Sequence, residues 1–288
     1  MNHIDTILSY RDGMTFSAEE NTTPTSMYIA DVNKLMLVVV NRFLLMTEDM
    51  MSRYLLDTLK LQGMNTGDLG KELRRMARSN FLTVYHLSDC ENNKMLTVFG
   101  LGYRGRGYLK SIQEAPRMTG YLAQVDAYST LKILAANQYL VKKQTPFPSL
   151  QVCKTILAQN KNIDKTHLIA RPQGLVCTAH STQLLEAVRR TPDYLEKLNE
   201  KLGRMQLLLD RDDLNVAVPA PSITLICEDG VMLEEIRQSL SGKRYFFPIY
   251  ATTDAWIAEE SAIHEVSLVT ASGKGFLERL RNRLFYAA

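Results

Sequence analysis

The stretch DLGKELRRMARSNFLTVYHLSDCENNKMLTVF, residues Asp68–Phe99, decides the fold predicted for the first half of this chain. Its first part, Asp68–Arg78, has apolar residues at helical spacing. Two segments of strand character, Phe81–Leu87 and Lys94–Phe99, follow on either side of the polar turn Ser88–Asn93. The stretch therefore predicts a helix that leads directly into a β-hairpin.

Two helices are predicted before this stretch and one after it. The apolar segment Leu35–Met46 indicates a buried helix, and Thr47 is a plausible N-cap for a second helix that reaches about Leu59. A short helix, Tyr103–Gln113, follows the hairpin. Three helices followed by a hairpin are typical of a winged helix-turn-helix, in which the third helix enters the major groove of DNA.

The third predicted helix has one cationic face and one apolar face. On a helical wheel Lys71, Arg74, Arg75 and Arg78 lie opposite Leu69, Leu73, Met76 and Ala77, with Glu72 as the one acid between the cations. Arginine forks suit guanine edges and phosphates, so duplex DNA is the predicted partner, with Lys94, Arg104 and Arg106 adding backbone contacts. The plain alternative is an ordinary charged face exposed to water.

A glycine-rich segment offers a competing interpretation. Gly100–Gly105 matches G-x-G-x-x-G between a strand and a helix, and Asp126 lies at the distance expected in a dinucleotide site. In a winged helix the same glycines would instead let the chain turn sharply into the closing helix. Because the preceding segment is helical rather than a parallel sheet, the second interpretation is favoured, and no cofactor is expected.

The second half of the chain alternates strands and helices, which predicts an α/β domain. Pro146 and Pro148 mark the change. The strands are His167–Ala170, Ser222–Cys227, Tyr245–Ala251 and Glu265–Thr270, and the helices are Asp193–Leu209, Val231–Leu240 and Lys274–Phe285. The predicted organisation is an arm (1–34), a winged helix-turn-helix domain (35–115), a helical connector (116–165) and an α/β domain (166–288).

Two motifs stand out: the glycine-containing close of the predicted winged helix, Leu101–Leu109, and the stretch Arg171–Thr191 with the helix Tyr194–Leu209 after it. Together they resemble the replication–relaxation family of bacterial plasmid and mobile-element proteins. The resemblance implies a restriction-endonuclease-like, PD-(D/E)XK-related α/β domain, a role in plasmid or mobile-element replication or transfer, and other proteins of those processes as partners. It places residual nuclease positions at Gln173, Glu186 and Lys201.

The departures from the family pattern concern the acids. Gln173 and Val188 stand where the family has carboxylates, and Met205 stands at the tyrosine position. Since Mg²⁺ prefers anionic oxygen, Glu186 alone makes a poor metal site. The sequence therefore predicts a nuclease-like domain without catalysis or metal, used for association. Two alternatives stay open: a metal-dependent nuclease with a relocated carboxylate (Glu228 or Asp229), and a protein-interaction module that binds no nucleic acid.

Composition agrees with a folded protein of ordinary type. The 288 residues are 45% hydrophobic and 23% charged, with a net charge of +3, too mild to prove a nucleic-acid partner. The four cysteines lie far apart and predict buried free thiols; Cys177 and His180 alone make no zinc site. The sequence contains no H-x-H pair, the histidine motif that a rolling-circle relaxase requires, so a relaxase is not expected. Without a signal-like or membrane-length apolar segment, a cytoplasmic protein is expected, and a homodimer is possible.

Overall fold

The chain folds into two units, each with its own β-sheet. The computed structural model describes residues 9–19, 24–114, 125–143, 173–177, 181–209, 221–259 and 263–270. The first unit comprises residues 1–147 and the second residues 148–288. Both contain helices and strands, so the protein is of mixed α and β type.

The first unit consists of short helices around one antiparallel sheet. In chain order its elements are β1 (Thr15–Ala18), α1 (Asp31–Phe43), β2 (Leu45–Met46), α2 (Glu48–Arg53) with a π-helical turn (Tyr54–Thr58), α3 (Thr66–Arg78), β3 (Leu82–Asp89), β4 (Lys94–Leu101), α4 (Tyr103–Ser111) and α5 (Ala127–Lys142). The strand order is β1-β3-β4-β2, and all pairs are antiparallel. The hairpin β3–β4 is therefore central in the sheet.

Helix α1 differs from its prediction at both ends. It begins at Asp31, inside the predicted arm, where the backbone N–H of Ala30 donates to the Asn33 side chain at 2.9 Å. It ends at Phe43 because Leu44 has a φ of 69°, and the next two residues form β2, which pairs with β4. The prediction that this helix continues to Met46 is thus wrong: Leu45 and Met46 form a short strand instead, and its pairing outweighs the local helical pattern.

The other helix starts in this unit follow their capping residues. The Thr47 hydroxyl accepts the Met50 N–H at 3.2 Å, which confirms the predicted N-cap. Asn65 is the N-cap of α3, since its side chain accepts the Asp68 N–H at 3.0 Å. An asparagine favours a helix start as strongly as it disfavours a helix interior.

Helix α5 packs within the first unit. Asn137 is buried and donates to the carbonyls of Phe43 (2.8 Å) and Leu45 (2.6 Å), which ties α5 to the segment around β2. Of the predicted connector 116–165, only residues 125–143 lie in the described part of the chain. There the connector is a helix with an extensive buried face rather than a bare link.

The second unit is built on a five-stranded mixed sheet. Its elements are β5 (Gly174–Cys177), β6 (Thr182–Ala187), α6 (Tyr194–Leu209), β7 (Pro221–Cys227), α7 (Gly230–Leu240), β8 (Ile249–Thr253), α8 (Asp254–Ala258) and β9 (Val266–Val269). The strand order is β5-β6-β7-β8-β9, with β6, β7 and β8 parallel and the two edge pairings antiparallel. Helices α6 and α7 pack their apolar residues on one face of this sheet.

Strand β6 was not predicted from the sequence. Its residues 184–187 are all buried, so the alternation of polar and apolar residues that marks a half-exposed strand is absent. The predicted strand Tyr245–Ala251 is displaced to Ile249–Thr253. The predicted strand His167–Ala170 and helix Lys274–Phe285 lie outside the described residues.

Two further observations bear on the predictions from composition. Cys227 is a buried free thiol as expected, whereas Cys90, in the turn after β3, is exposed. Among the described residues, no helix has the length and apolarity needed to cross a bilayer.

Candidate nucleic-acid interface

Helix α3 is held on the first unit by the residues predicted to face the core. Leu69, Leu73 and Met76 are completely buried, which confirms their side of the helical wheel. The opposite side carries the four cations Lys71, Arg74, Arg75 and Arg78, all exposed to solvent. The burial of one face fixes the direction of the other, so this cationic face is a stable feature of the unit.

Three of these cations form ion pairs with nearby acids. Arg74 lies 3.1 Å from Glu48 of α2, Arg75 lies 2.7 Å from Glu72, and Lys71 lies 3.6 Å from Asp68. Of these three acids, only Glu72 was identified beside the cations from the sequence. Glu48 belongs to another helix, and the packing that brings it to Arg74 has no signal in the local sequence.

The ion pairs lower the net charge of the surface without removing its cations from solvent. Arg74 and Arg75 keep more than half of their side-chain area exposed. Exposed ion pairs contribute only about 0–1 kcal/mol, so a phosphate can compete for such a guanidinium. Glu72 is the most firmly held acid, since it also accepts a hydrogen bond from Asn33.

The cations predicted beside the hairpin have different environments. Lys94, the first residue of β4, is exposed. Arg104 donates to the carbonyls of Thr25 (3.1 Å) and Ser79 (3.3 Å), and Arg106 donates to the carbonyl of Leu101 (2.9 Å). These guanidiniums are fixed by the backbone, but a carbonyl carries no net charge, so their positive charge is not neutralised there.

The glycines of the G-x-G-x-x-G segment serve close packing. A Cβ on Gly102 would lie 2.3 Å from the Asn80 carbonyl oxygen, and one on Gly105 would lie 2.1 Å from the Phe81 carbonyl oxygen. The N–H groups of Gly102 and Arg104 donate to those same two residues' carbonyls, at 3.0 Å each. The start of α4 is therefore occupied by protein and not shaped to receive a phosphate.

Asp126 is likewise explained by the fold. Its carboxylate accepts the Ser129 N–H at 2.6 Å and so caps α5. The dinucleotide interpretation loses the acid that it required for a ribose hydroxyl.

In the second unit, the structure brings together the three residues that the resemblance predicts as residual nuclease positions. Glu186 on β6 is buried and forms an ion pair with Lys201 of α6. The Gln173 side-chain oxygen accepts the N–H of Ala187, the residue after Glu186, at 3.1 Å.

This group does not fit a hydrated divalent cation. Mg²⁺ keeps several waters and binds anionic oxygens, whereas the Glu186 carboxylate is 2% exposed and engaged by an ammonium group. The Gln173 oxygen is used by the backbone. In the described part of the chain, no group of three potential metal ligands occurs.

Charged residues also gather where the parallel strands end. Arg189 and Asp254, which follow β6 and β8, are buried and form an ion pair at 3.1 Å. Burial is the main cause that raises the pKa of Asp254 to about 6, against the lowering effect of Arg189. The sequence did not predict this pair, because strand β6, which places Arg189 at the same edge of the sheet as Asp254, was not predicted.

The alternative carboxylates Glu228 and Asp229 lie at the same edge, after β7. Asp229 caps α7 by accepting the Met232 N–H at 2.7 Å, and it pairs with Arg190 at 3.3 Å. Glu228 is buried. Asp229 thus has a structural role, and the position of the two acids alone assigns them no chemistry.

No family model matches this chain, and no curated protein or solved structure is significantly similar to it.

Proposed function

We propose that the first unit is a winged helix-turn-helix that binds duplex DNA through α3. The order α1–β2–α2–α3–β3–β4 and the antiparallel sheet support this interpretation. The observation that carries it is the exposed row Lys71, Arg74, Arg75 and Arg78 on a helix that directly precedes the central hairpin. Lys94, exposed at the turn end of the hairpin, is proposed to contact the DNA backbone, and Arg104 and Arg106 contribute mainly through their charge.

The second unit is proposed to serve association rather than hydrolysis, in a restriction-endonuclease-like fold that has lost its metal. The poor fit of Gln173, Glu186 and Lys201 to a cation supports this. Together with the likeness to the replication–relaxation family, it leads us to propose an accessory DNA-binding protein of plasmid or mobile-element replication or transfer.

The test is binding to a random-sequence duplex at several salt concentrations. Arg74→Ala with Arg75→Ala is expected to weaken binding by about tenfold or more at low salt and to lower the salt dependence by roughly two phosphate contacts. The matched control is Arg237→Ala, another exposed arginine in an i,i+3 ion pair, with Glu234 at 3.2 Å. Equal affinities of wild type and double variant would remove the proposed interface.

A further inference from the structure

Two tyrosines are unusually exposed on the first unit. Tyr28 has 87% and Tyr103 has 79% of its surface accessible to solvent. Within the described residues, neither ring packs against another aromatic ring or a cation. Two uncovered rings are available to stack on a partner, since tyrosine combines a large apolar face with a polar hydroxyl.

The backbone brings both tyrosines next to the end of α3. The Thr25 N–H donates to the Arg78 carbonyl at 3.1 Å, and the Arg104 guanidinium donates to the Thr25 carbonyl at 3.1 Å. The segment that leads to Tyr28 is thus held between the last turn of α3 and the first turn of α4. Tyr103 is the first residue of that helix.

Helix α4, which begins with Tyr103, is cationic. It contains Arg104, Arg106 and Lys110 and no acid. Near Tyr28 the charges are mixed, because Lys34 forms an ion pair with Asp31 at 2.7 Å, and the hydrogen bond in this pair is the main cause that raises the pKa of Lys34. Whereas three cations of α3 are paired with acids, those of α4 bear no acid on their own helix.

The outer side of α4 is also open. Tyr103, Gly107 and Lys110 are all exposed at helical spacing, and a Cβ on Gly107 would meet nothing within 4 Å. Protein interfaces also favour tyrosine and arginine, but they are depleted of lysine, which α4 presents at the exposed Lys110. Tyrosines beside several cations match the surfaces that bind single strands, where bases stack on aromatic rings and phosphates meet positive charge.

We propose that Tyr28 and Tyr103, beside the acid-free helix α4, stack on unpaired bases, so that this surface holds single-stranded nucleic acid next to the duplex bound by α3. The inference deepens the proposed function and rests on nucleic acid being the partner. It predicts that the protein prefers a duplex with a single-stranded tail over a blunt duplex.

The experiment measures fluorescence anisotropy of the full chain with labelled dT20, rU20, a blunt duplex and a tailed duplex. Tyr28→Ala with Tyr103→Ala is expected to weaken dT20 binding at least tenfold and blunt-duplex binding less than threefold, given the usual contribution of base stacking. The matching Phe double variant keeps the rings and should stay within twofold of wild type. Leu207→Ala, an exposed apolar residue of the second unit, controls for loss of surface area. The rU20 measurement decides between DNA and RNA.

The outcomes separate this inference from the proposed function. Duplex binding without dT20 or rU20 binding overturns the inference alone, and strand binding that depends on the tyrosines without duplex binding overturns the role of α3 alone. Stacking would be contradicted if the alanine and phenylalanine double variants lost dT20 affinity equally. It would also be contradicted if the alanine double variant lost equal affinity for blunt duplex and for dT20. Self-association that is lost in the alanine double variant, together with no strand binding, would assign the surface to protein contact.

Discussion

Glu48 holds the guanidinium of Arg74 at 3.1 Å across the gap between α2 and α3. The carboxylate lies over Gly70, where a Cβ would come within 2.1 Å of the Glu48 Oε1 atom. The absence of a side chain at Gly70 thus makes room for an acid beside the proposed DNA-contacting arginine. In the proposed interface, Glu48 would compete with phosphate for Arg74 and so weaken the attraction of this surface for DNA.

Removal of the Glu48 charge is expected to strengthen DNA binding. Glu48→Gln should raise the affinity for random duplex about two- to fivefold at low salt, because it frees Arg74 and adds one positive charge. Asp49→Asn is the matched control, since Asp49 is the next residue and pairs with Arg53 at 2.9 Å instead. If both variants gain equally, net charge rather than the Arg74 pair controls affinity.

Gly70→Ala tests the same contact without a change of charge. The new methyl group forces the flexible end of Glu48 to move away from Arg74, while alanine favours the helix by about 1 kcal/mol. The variant should bind duplex at least as tightly as wild type and unfold at the same or a higher urea concentration. Weaker binding by a stable variant would contradict the competition between Glu48 and phosphate.

The glycines of α4 give a pair of opposite stability effects. Gly105→Ala should destabilise the protein by roughly 2–4 kcal/mol, since its Cβ would meet the Phe81 backbone oxygen at 2.1 Å. Gly107→Ala, two residues later in open space, should be neutral or stabilising by up to about 1 kcal/mol. Urea unfolding of both variants measures the difference; similar values would show that close packing does not explain Gly105.

Features that depend on local spacing could be predicted from the sequence, whereas features that depend on tertiary packing could not. The apolar side of α3 and the N-cap at Thr47 follow from local spacing and were predicted correctly. The pairing of Arg74 with Glu48 and the strand β6 depend on tertiary packing, which leaves no local pattern. For the same reason, the Arg189–Asp254 pair emerged only with the parallel sheet.

The Glu186–Lys201 pair is expected to stabilise structure rather than support cleavage. Glu186→Gln should lower the free energy of unfolding by about 1–3 kcal/mol, because it leaves Lys201 without its carboxylate. The double variant Glu186→Leu with Lys201→Met should lose less free energy of unfolding than the sum of the losses of the two single variants. Wild type should not cut DNA with Mg²⁺ or Mn²⁺; metal-dependent cutting that Glu186→Gln abolishes would establish the nuclease alternative.

Asp254 should make stability depend on pH between about 4 and 6. Its pKa in the folded protein is raised from 3.8 to about 6 by burial, so the folded state binds this proton more tightly than the unfolded state. The resulting stabilisation is present below the unfolded pKa and is lost as the pH rises through 6, by at most roughly 2–3 kcal/mol. Urea unfolding at pH 4.5 and 7 measures it.

Asp254→Asn should remove this part of the pH dependence, whatever its effect on absolute stability. Asp193→Asn is the control, because the hydrogen bond with Lys197 lowers the pKa of Asp193 and moves its effect to more acid solution. Identical differences between pH 4.5 and 7 in wild type and Asp254→Asn would disprove the role of Asp254.

Strand β1 has a consequence for any shortened form of this protein. It covers the outer side of β3 over Thr15–Ala18, and the Phe16 ring stacks on Tyr85 at 4.9 Å. A protein trimmed to start at α1 would leave the amides and carbonyls of β3 unpaired along a sheet edge, which invites edge-to-edge assembly of neighbouring molecules. Strand β1 is therefore expected to protect the hairpin from aggregation, and it should be retained when the first unit is produced alone.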